Sequence, residues 1–403
     1  MIRVRKKIGL IPRYNWDYKF SDYAKAFKAA LKSDSNNEPT LEKIFGWKPL
    51  FTTSGRASLY AILKSLDLAK DAKIAVPLYC CPVVFDAVRQ ADMTPIFIDI
   101  NPDDYTLSAS DLEKKIDSVS AVVVVHMFGH PVDFDAISRV SGNIPIIEDC
   151  AQSLLSNYKG RYTGFLSNVS FFSFRSGKYI SAGEGSAIFS TDPKLLESIG
   201  KLIEKFDDWT NFQQILHCTG TYIKSSLYRR PWYGIVGYPI GRALDRKLNL
   251  TAKTGFRFKK IAGCDIRLIN DRIKTFSKNI EKQRVNAFYF FKKIRLPDVF
   301  LPKEKKDCWS NYFQFALRFN NREQRNHMAD HLLKCGIDTA KYLDDIVETA
   351  QEYYNYKGDC PKTEESSKKV LIIPNHYTLS QKDLDYIIDC LNAASMSNNS
   401  FIS

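Results

Sequence analysis

Short apolar runs alternate with helical stretches from about residue 50 onward: PLFTTS, then RASLYAILKSLDLA, KIAVP, VVFDAVRQA and TPIFIDI. The apolar runs are continuous, with no polar residue at every second position, as in parallel strands buried on both faces. The rhythm goes on through a helical DLEKKIDS, a strand from Ala121 to Val125, a helix around Asp133 to Val140, then IPIIED and NVSFFSF. Repetition of this kind predicts an α/β fold with a mostly parallel, doubly wound sheet covered by helices.

Beyond about residue 190 the pattern changes to a region rich in aromatic and basic residues, and then to a charged stretch, roughly Cys264 to Ile294, that reads as a connecting helix. The remainder predicts a smaller α+β unit: a strand at NYFQFALRF, a helix at NREQRNHMADHLLKCG, a strand at VLIIPN and a closing helix at SQKDLDYIIDCLNAA. The expected organisation is an N-terminal arm over 1–48, a large domain over 49–255 with a basic aromatic insert at about 206–250, and a connecting helix plus small domain over 256–403. From Tyr222 to Leu248 the insert sets Lys224, Arg229, Arg230, Arg242, Arg246 and Lys247 against a single acid, Asp245, with Tyr and Trp interleaved. Solvated bases over packed aromatics account for this pattern. So does a surface for an anion, either the diphosphate of a substrate or the headgroups of a membrane.

Composition narrows the picture modestly. At 44% hydrophobic and 26% charged residues the 403-residue chain is ordinary for a globular protein, which excludes disordered and fibrous classes. The nine cysteines include no CxxC pair and no zinc-like Cys/His spacing, so reduced thiols, no metal and a cytoplasmic location are the expectation. A net charge of +13 favours anionic partners, but it is spread along the chain and points to no nucleic-acid module.

Candidate chemistry lies at predicted strand ends, where open α/β sheets hold ligands. Thr53-Ser54-Gly55-Arg56 stands between a strand and a helix, a place where backbone N–H groups can bind phosphate or where Ser54 merely caps the helix. In IIEDCAQS, Asp149 ends an apolar strand; a carboxylate there stays ionised beside a cation such as a pyridinium nitrogen, or caps the next helix. FFSFRSGKYISAGEG puts Lys178 on a Gly-rich turn with Ser173 five residues earlier. A lysine amine must be neutral to form an imine, and a partly apolar site or neighbouring cations lower its pKa.

With SGRASLYAIL, VPLYCCPVVFDAV, TPIFIDINPDDYTL, VVHMFGHPVDFDAI, IIEDCAQS, YKGRYTG and FFSFRSGKYISAGEGSAIFS in this order, the chain resembles the DegT family of nucleotide-sugar aminotransferases. The likeness is clear over roughly 48 to 200 and looser over 255 to 393. It implies an aspartate-aminotransferase-type (fold type I) enzyme dependent on pyridoxal phosphate, working as a homodimer on a keto sugar with glutamate as amino donor. It further implies that Lys178 is the Schiff-base lysine, Asp149 the partner of the pyridine nitrogen and Gln152 the neighbour of the ring's phenolic oxygen. Ala151 would pack on one ring face, while Ser173, Ser54, Gly55 and Arg56 would surround the phosphate.

Four positions depart from the family's pattern. The family usually has Thr where Arg56 stands, a stacking aromatic where Cys81 stands, His where Arg175 stands, and, from the neighbouring subunit, Asn where Arg257 aligns. Tyr79 is the expected substitute cover for the ring, and Arg257 a candidate phosphate ligand across the dimer. The rival readings are a sugar dehydratase of the same fold, against which Lys178 argues because such relatives generally carry His there, and a non-catalytic regulator or membrane-associated scaffold.

Overall fold

A computed structural model describes residues 7–32, 40–245 and 258–398. The strands of the first half are β1 (Leu50–Thr52), β2 (Lys73–Pro77), β3 (Thr94–Ile98), β4 (Ala121–Val125), β5 (Ile146–Asp149), the short β6 (Asn157–Tyr158) and β7 (Arg161–Tyr162), β8 (Val169–Ser173) and β9 (Ser186–Ser190). Seven of them form one sheet in the order β1-β9-β8-β5-β4-β2-β3. Pairing is parallel from β8 through β5, β4 and β2 to β3, and β9 runs antiparallel to both β8 and β1.

The apolar runs explain the layers. All five residues of β4 are buried. Ala121, Val123 and Val125 join the core under helices Gly55–Ser65 and Val83–Gln90, while Val122 and Val124 join Leu112 and Ile137 of the helices on the opposite face. The two-residue alternation of a strand thus feeds two separate cores, and a run of five apolar residues is what that requires.

In the second half, β10 (Cys308–Trp309) pairs with β6, and β11 (Phe315–Arg318) pairs antiparallel with β12 (Val370–Ile373). Helices Arg322–Lys334 and Gln381–Asn398 cover that two-stranded sheet and share a core with Phe290 and Ile11. The single connecting helix expected from Cys264 to Ile294 is two helices, Gly263–Ile273 and Phe276–Lys293, parted at Thr275, whose backbone is not helical. The break lets Ile273, Phe276 and Ile280 stay in the core beneath β8 and β9 while Ala287 and Phe290 enter the small-domain core.

Helices Phe20–Lys32 and Asn211–Leu227 lie side by side over Gly263–Ile273. The segment after them is tied to the body by its own cations. Arg229 donates to the Tyr18 carbonyl at 2.7 Å, and Arg230 grips Asp383 with both guanidinium nitrogens at 2.8 and 2.9 Å. These two arginines therefore serve cohesion, which corrects the expectation that they face an anionic surface. The side chain of Arg242, and all of Arg246 and Lys247, lie outside the described residues. Asp383 is nearly buried, so Arg230→Ala should take away its cationic partner while the Ser380 N–H and hydroxyl still donate to it, and cost about 1–3 kcal/mol, read as a lower urea midpoint at unchanged slope.

Candidate active site

The carboxyl ends of β5 and β8 and the amino end of helix Gly55–Ser65 meet at a cavity of about 710 Å³. Ser54 caps that helix, its hydroxyl accepting from the Ala57 N–H at 3.2 Å. The leading N–H groups of a helix have no acceptor within it, and this end opens on the cavity. Gly55 packs closely here: a Cβ there would stand 3.1 Å from the Phe171 ring, which would have to shift by a few tenths of an ångström. Ser173 lies beside it at the end of β8, and its hydroxyl has no hydrogen-bond partner among the described residues.

Asp149 occupies the cavity floor. One of its oxygens accepts from the Ala151 N–H at 2.9 Å. Burial pushes its carboxyl above the ordinary range, with that N–H, Lys178 and His126 pulling the other way. The preceding residue, Glu148, points to the opposite face and takes the backbone N–H groups of Gly164, Leu166 and Ser167 at 2.8, 2.9 and 2.7 Å. His126 is fixed between them: its Nδ1 accepts from the Val132 N–H at 3.1 Å, so its Nε2 carries the proton that it donates to Glu148 at 3.1 Å. This layer locks the strand end from which Asp149 projects.

Lys178 sits half-buried on the turn after β8. Its N–H donates to the Arg175 carbonyl at 2.9 Å, and its own carbonyl accepts from the Ser181 hydroxyl at 3.1 Å. The turn needs Gly177, whose φ of +87° is left-handed and where a Cβ would come within 2.9 Å of the Trp16 indole nitrogen. Burial brings the Lys178 ammonium down to about 8; Asp149 opposes the change and Arg175 adds to it. The nitrogen hangs 5.1 Å over the Phe313 ring.

Among the residues expected from the sequence, Ser54, Gly55, Arg56, Cys81, Asp149, Ala151, Gln152, Ser173 and Lys178 all line this cavity. Tyr79 does not. It is wholly buried, its hydroxyl donating to the Tyr342 carbonyl at 3.1 Å, because the apolar pocket of Tyr105, Phe128 and Tyr342 claims its ring. Among the aromatics that line the cavity instead is Tyr342, whose hydroxyl accepts from Gln152 Nε2 at 3.2 Å while Gln152 Oε1 accepts from the Phe128 N–H at 3.1 Å. The Arg56 guanidinium approaches Asp86 at 3.7 Å. Arg257 lies outside the described residues.

Residues that motif reading missed come from distant segments. Trp16 of the arm stacks on Tyr228 of the insert with ring centres 4.1 Å apart, and both line the cavity, as do Trp209 and Lys259. No local pattern announces them. Glu184 also lines the cavity, and its place in the GEG of the lysine turn was a usable signal.

The chain matches the DegT/DnrJ/EryC1/StrS aminotransferase family over residues 48–392. It belongs to that family. It is 26% identical over 345 residues to GDP-perosamine synthase of Escherichia coli O157:H7, covering 84% of each chain. It is 30% identical over 343 residues to the UDP-2-acetamido-2-deoxy-3-oxo-D-glucuronate aminotransferase of Pseudomonas aeruginosa, again covering 84% of each. Among solved structures, DesV of S. venezuelae superposes with a TM-score of 0.74 at 21% identity, covering 96% of this chain and 99% of that one. The putative sugar aminotransferase Spr1654 of Streptococcus pneumoniae, in its PMP form, gives 0.75 at 17%, covering 97% and 99%. The fold is that of the sugar aminotransferases, and the protein is an enzyme of that class.

Proposed function

We propose that this enzyme moves an amino group from an amino acid, glutamate by family habit, onto a keto sugar carried by a nucleoside diphosphate, using pyridoxal phosphate, for amino-sugar biosynthesis. The observation that carries the reading is a half-buried lysine with its ammonium brought down to about 8, facing the same cavity as a nearly buried carboxylate. The residues suit the cofactor. The unpartnered Ser173 hydroxyl and the amino end of helix Gly55–Ser65 suit its phosphate, Asp149 its ring nitrogen, Gln152 its phenolic oxygen and Lys178 its aldehyde.

When bound, the cofactor supplies an electron sink for the carbanion at the donor's α-carbon and stores the amino group between two half-reactions. Lys178 is the residue that would hold the cofactor's aldehyde through Nζ. Its amine, when neutral and free, would be the base that carries a proton to and from the donor's α-carbon. Asp149, raised in pKa by its burial, would become a full carboxylate once a cation lies against it, and would keep that cation protonated. The Tyr342–Gln152–Phe128 chain holds the Gln152 amide in one orientation.

The test is a mass-spectrometric screen of nucleotide-linked keto sugars against the glutamate-loaded enzyme, with gain of an amino group as the readout. If none is aminated while a simple keto acid is, the sugar reading fails. A pH prediction follows from Lys178. Below about pH 8 the amine is mostly protonated and cannot attack an aldehyde; above it the neutral form dominates. Addition of pyridoxal phosphate to the apoenzyme, trapped with borohydride and followed by stopped flow, should therefore accelerate through about pH 8 and level off above it. An unperturbed lysine would keep accelerating toward pH 10.

A further inference from the structure

Helix Asn211–Leu227 is built inside out. Gln214, Cys218, Thr221 and Ser225 are its buried positions, while Phe212, Leu216 and Ile223 are 68%, 56% and 54% exposed. At 100° per residue those three exposed side chains fall within about 40° of one another, so they form one stripe. The neighbouring helix Phe20–Lys32 repeats the pattern: Phe20 is 65% and Leu31 56% exposed, and they too share one side.

The contacts between the helices place both stripes on the same side. Tyr23 stacks on Tyr222 at 5.1 Å and its hydroxyl meets that of Thr219 at 3.3 Å, while Phe20 meets Tyr222 at 6.0 Å. Later residues of one helix thus face earlier residues of the other, an antiparallel pair. On each helix the exposed stripe lies about 70° from the contact line in the direction of increasing residue angle. Reversing the direction of one helix mirrors that rotation, so both stripes turn outward together. Helix Gly263–Ile273 covers the other side.

The exposed charged residues on the outer flanks of this apolar plane are lysines. Lys28 and Lys224 are exposed at its two outer flanks, and neither has an ion-pair partner among the described residues. From Trp209 to Leu244 the chain has no Asp or Glu. Of the nearest acids, Asp208 pairs with Lys260 at 3.1 Å and Asp22 with Arg272 at 2.7 Å, while Asp207, before the helix, is exposed. A second copy docked through the same face would bring lysines against lysines. An anionic bilayer complements the face instead, taking the stripe into its interface with the lysine stems reaching up to its phosphates. No described helix is long and apolar enough to cross a membrane, so the contact is interfacial. Trp209 and Tyr228, which bracket the helix, line the cavity.

We propose that the outer face of helices Phe20–Lys32 and Asn211–Leu227 docks this enzyme on an anionic membrane surface. The membrane contact expected for 222–248 is thereby moved onto the preceding helix and the arm. The full-length enzyme, loaded with pyridoxal phosphate, is sedimented with phosphatidylcholine vesicles containing or lacking phosphatidylglycerol. It should pellet with the anionic vesicles. The variant F212S/L216S/I223S should lose at least about tenfold in partitioning, and K28E/K224E should lose at least about thirtyfold on anionic vesicles, the factor for removing two charges near the surface. All five side chains are exposed, so circular dichroism and borohydride-trapped cofactor should stay unchanged. Three results each overturn the proposal: wild type that stays in the supernatant, a triple-serine variant that pellets as before, or a triple-serine variant that is a smaller oligomer than wild type by light scattering, which would make the face a contact between copies.

Discussion

Lys178→Ala lowers amino transfer by at least about ten-thousandfold, because one nitrogen supplies both the covalent attachment and the proton-transferring base. The chain should still fold. The backbone of the turn is held by the Lys178 N–H to Arg175 and the Ser181 hydroxyl to the Lys178 carbonyl, neither of which needs the side chain. Borohydride treatment followed by peptide mass mapping checks the assignment: wild type should carry one reduced cofactor adduct at Lys178, and the variant none. An adduct at another lysine in the variant, with activity retained, would refute the role.

Asp149→Asn should keep the cofactor but slow both half-reactions by about a hundredfold or more. The amide preserves the volume and can still accept from Ala151, so the cavity floor keeps its shape. It carries no charge, and a neutral neighbour in a buried site leaves a pyridinium without compensation. The expected signature is a fall in kcat with little change in cofactor affinity, read from single-turnover absorbance with glutamate alone, before any sugar is added. An unchanged single-turnover rate would show that Asp149 has no part in proton transfer.

The residues that made the site legible lie in three contiguous segments. Ser54 to Arg56, Asp149 to Gln152 and Ser173 to Lys178 each follow a strand, and parallel strands bring their carboxyl ends to one edge. Motif order was enough to name them before any contact was known. Tyr79 shows where this reasoning stops. Two positions from Cys81 on the same segment, it was as plausible a cover for the ring as any aromatic, yet Tyr105, Phe128 and Tyr342 hold it in the core. Tyr342 lies 190 residues from the Gln152 that binds its hydroxyl, and nothing local marks it.

The basic insert divides in the same way. Its composition announced a cationic aromatic segment, but charge count says nothing about pairing. Arg229 and Arg230 look like free cations until the Tyr18 carbonyl and Asp383, 211 and 153 residues away, are brought to them. The inverted helix is likewise invisible to a periodicity rule. Amphipathic order reveals two faces, and the usual inference buries the apolar one. Here Gln214 accepts from the Cys264 N–H and Ser225 bonds the carbonyls of Trp16 and Tyr18, so the polar face finds its partners inside.

By itself, then, the order of residues determined the strand and helix alternation, the parallel sheet, the strand-end site and the family, because each rests on periodicity or on a few adjacent residues. Only the tertiary structure decided which aromatics reach the cavity, which arginines are already paired and which face of Asn211–Leu227 is turned outward. These depend on groups far apart in the chain meeting at hydrogen-bond distance, and a short-range pattern carries no information about its distant partner.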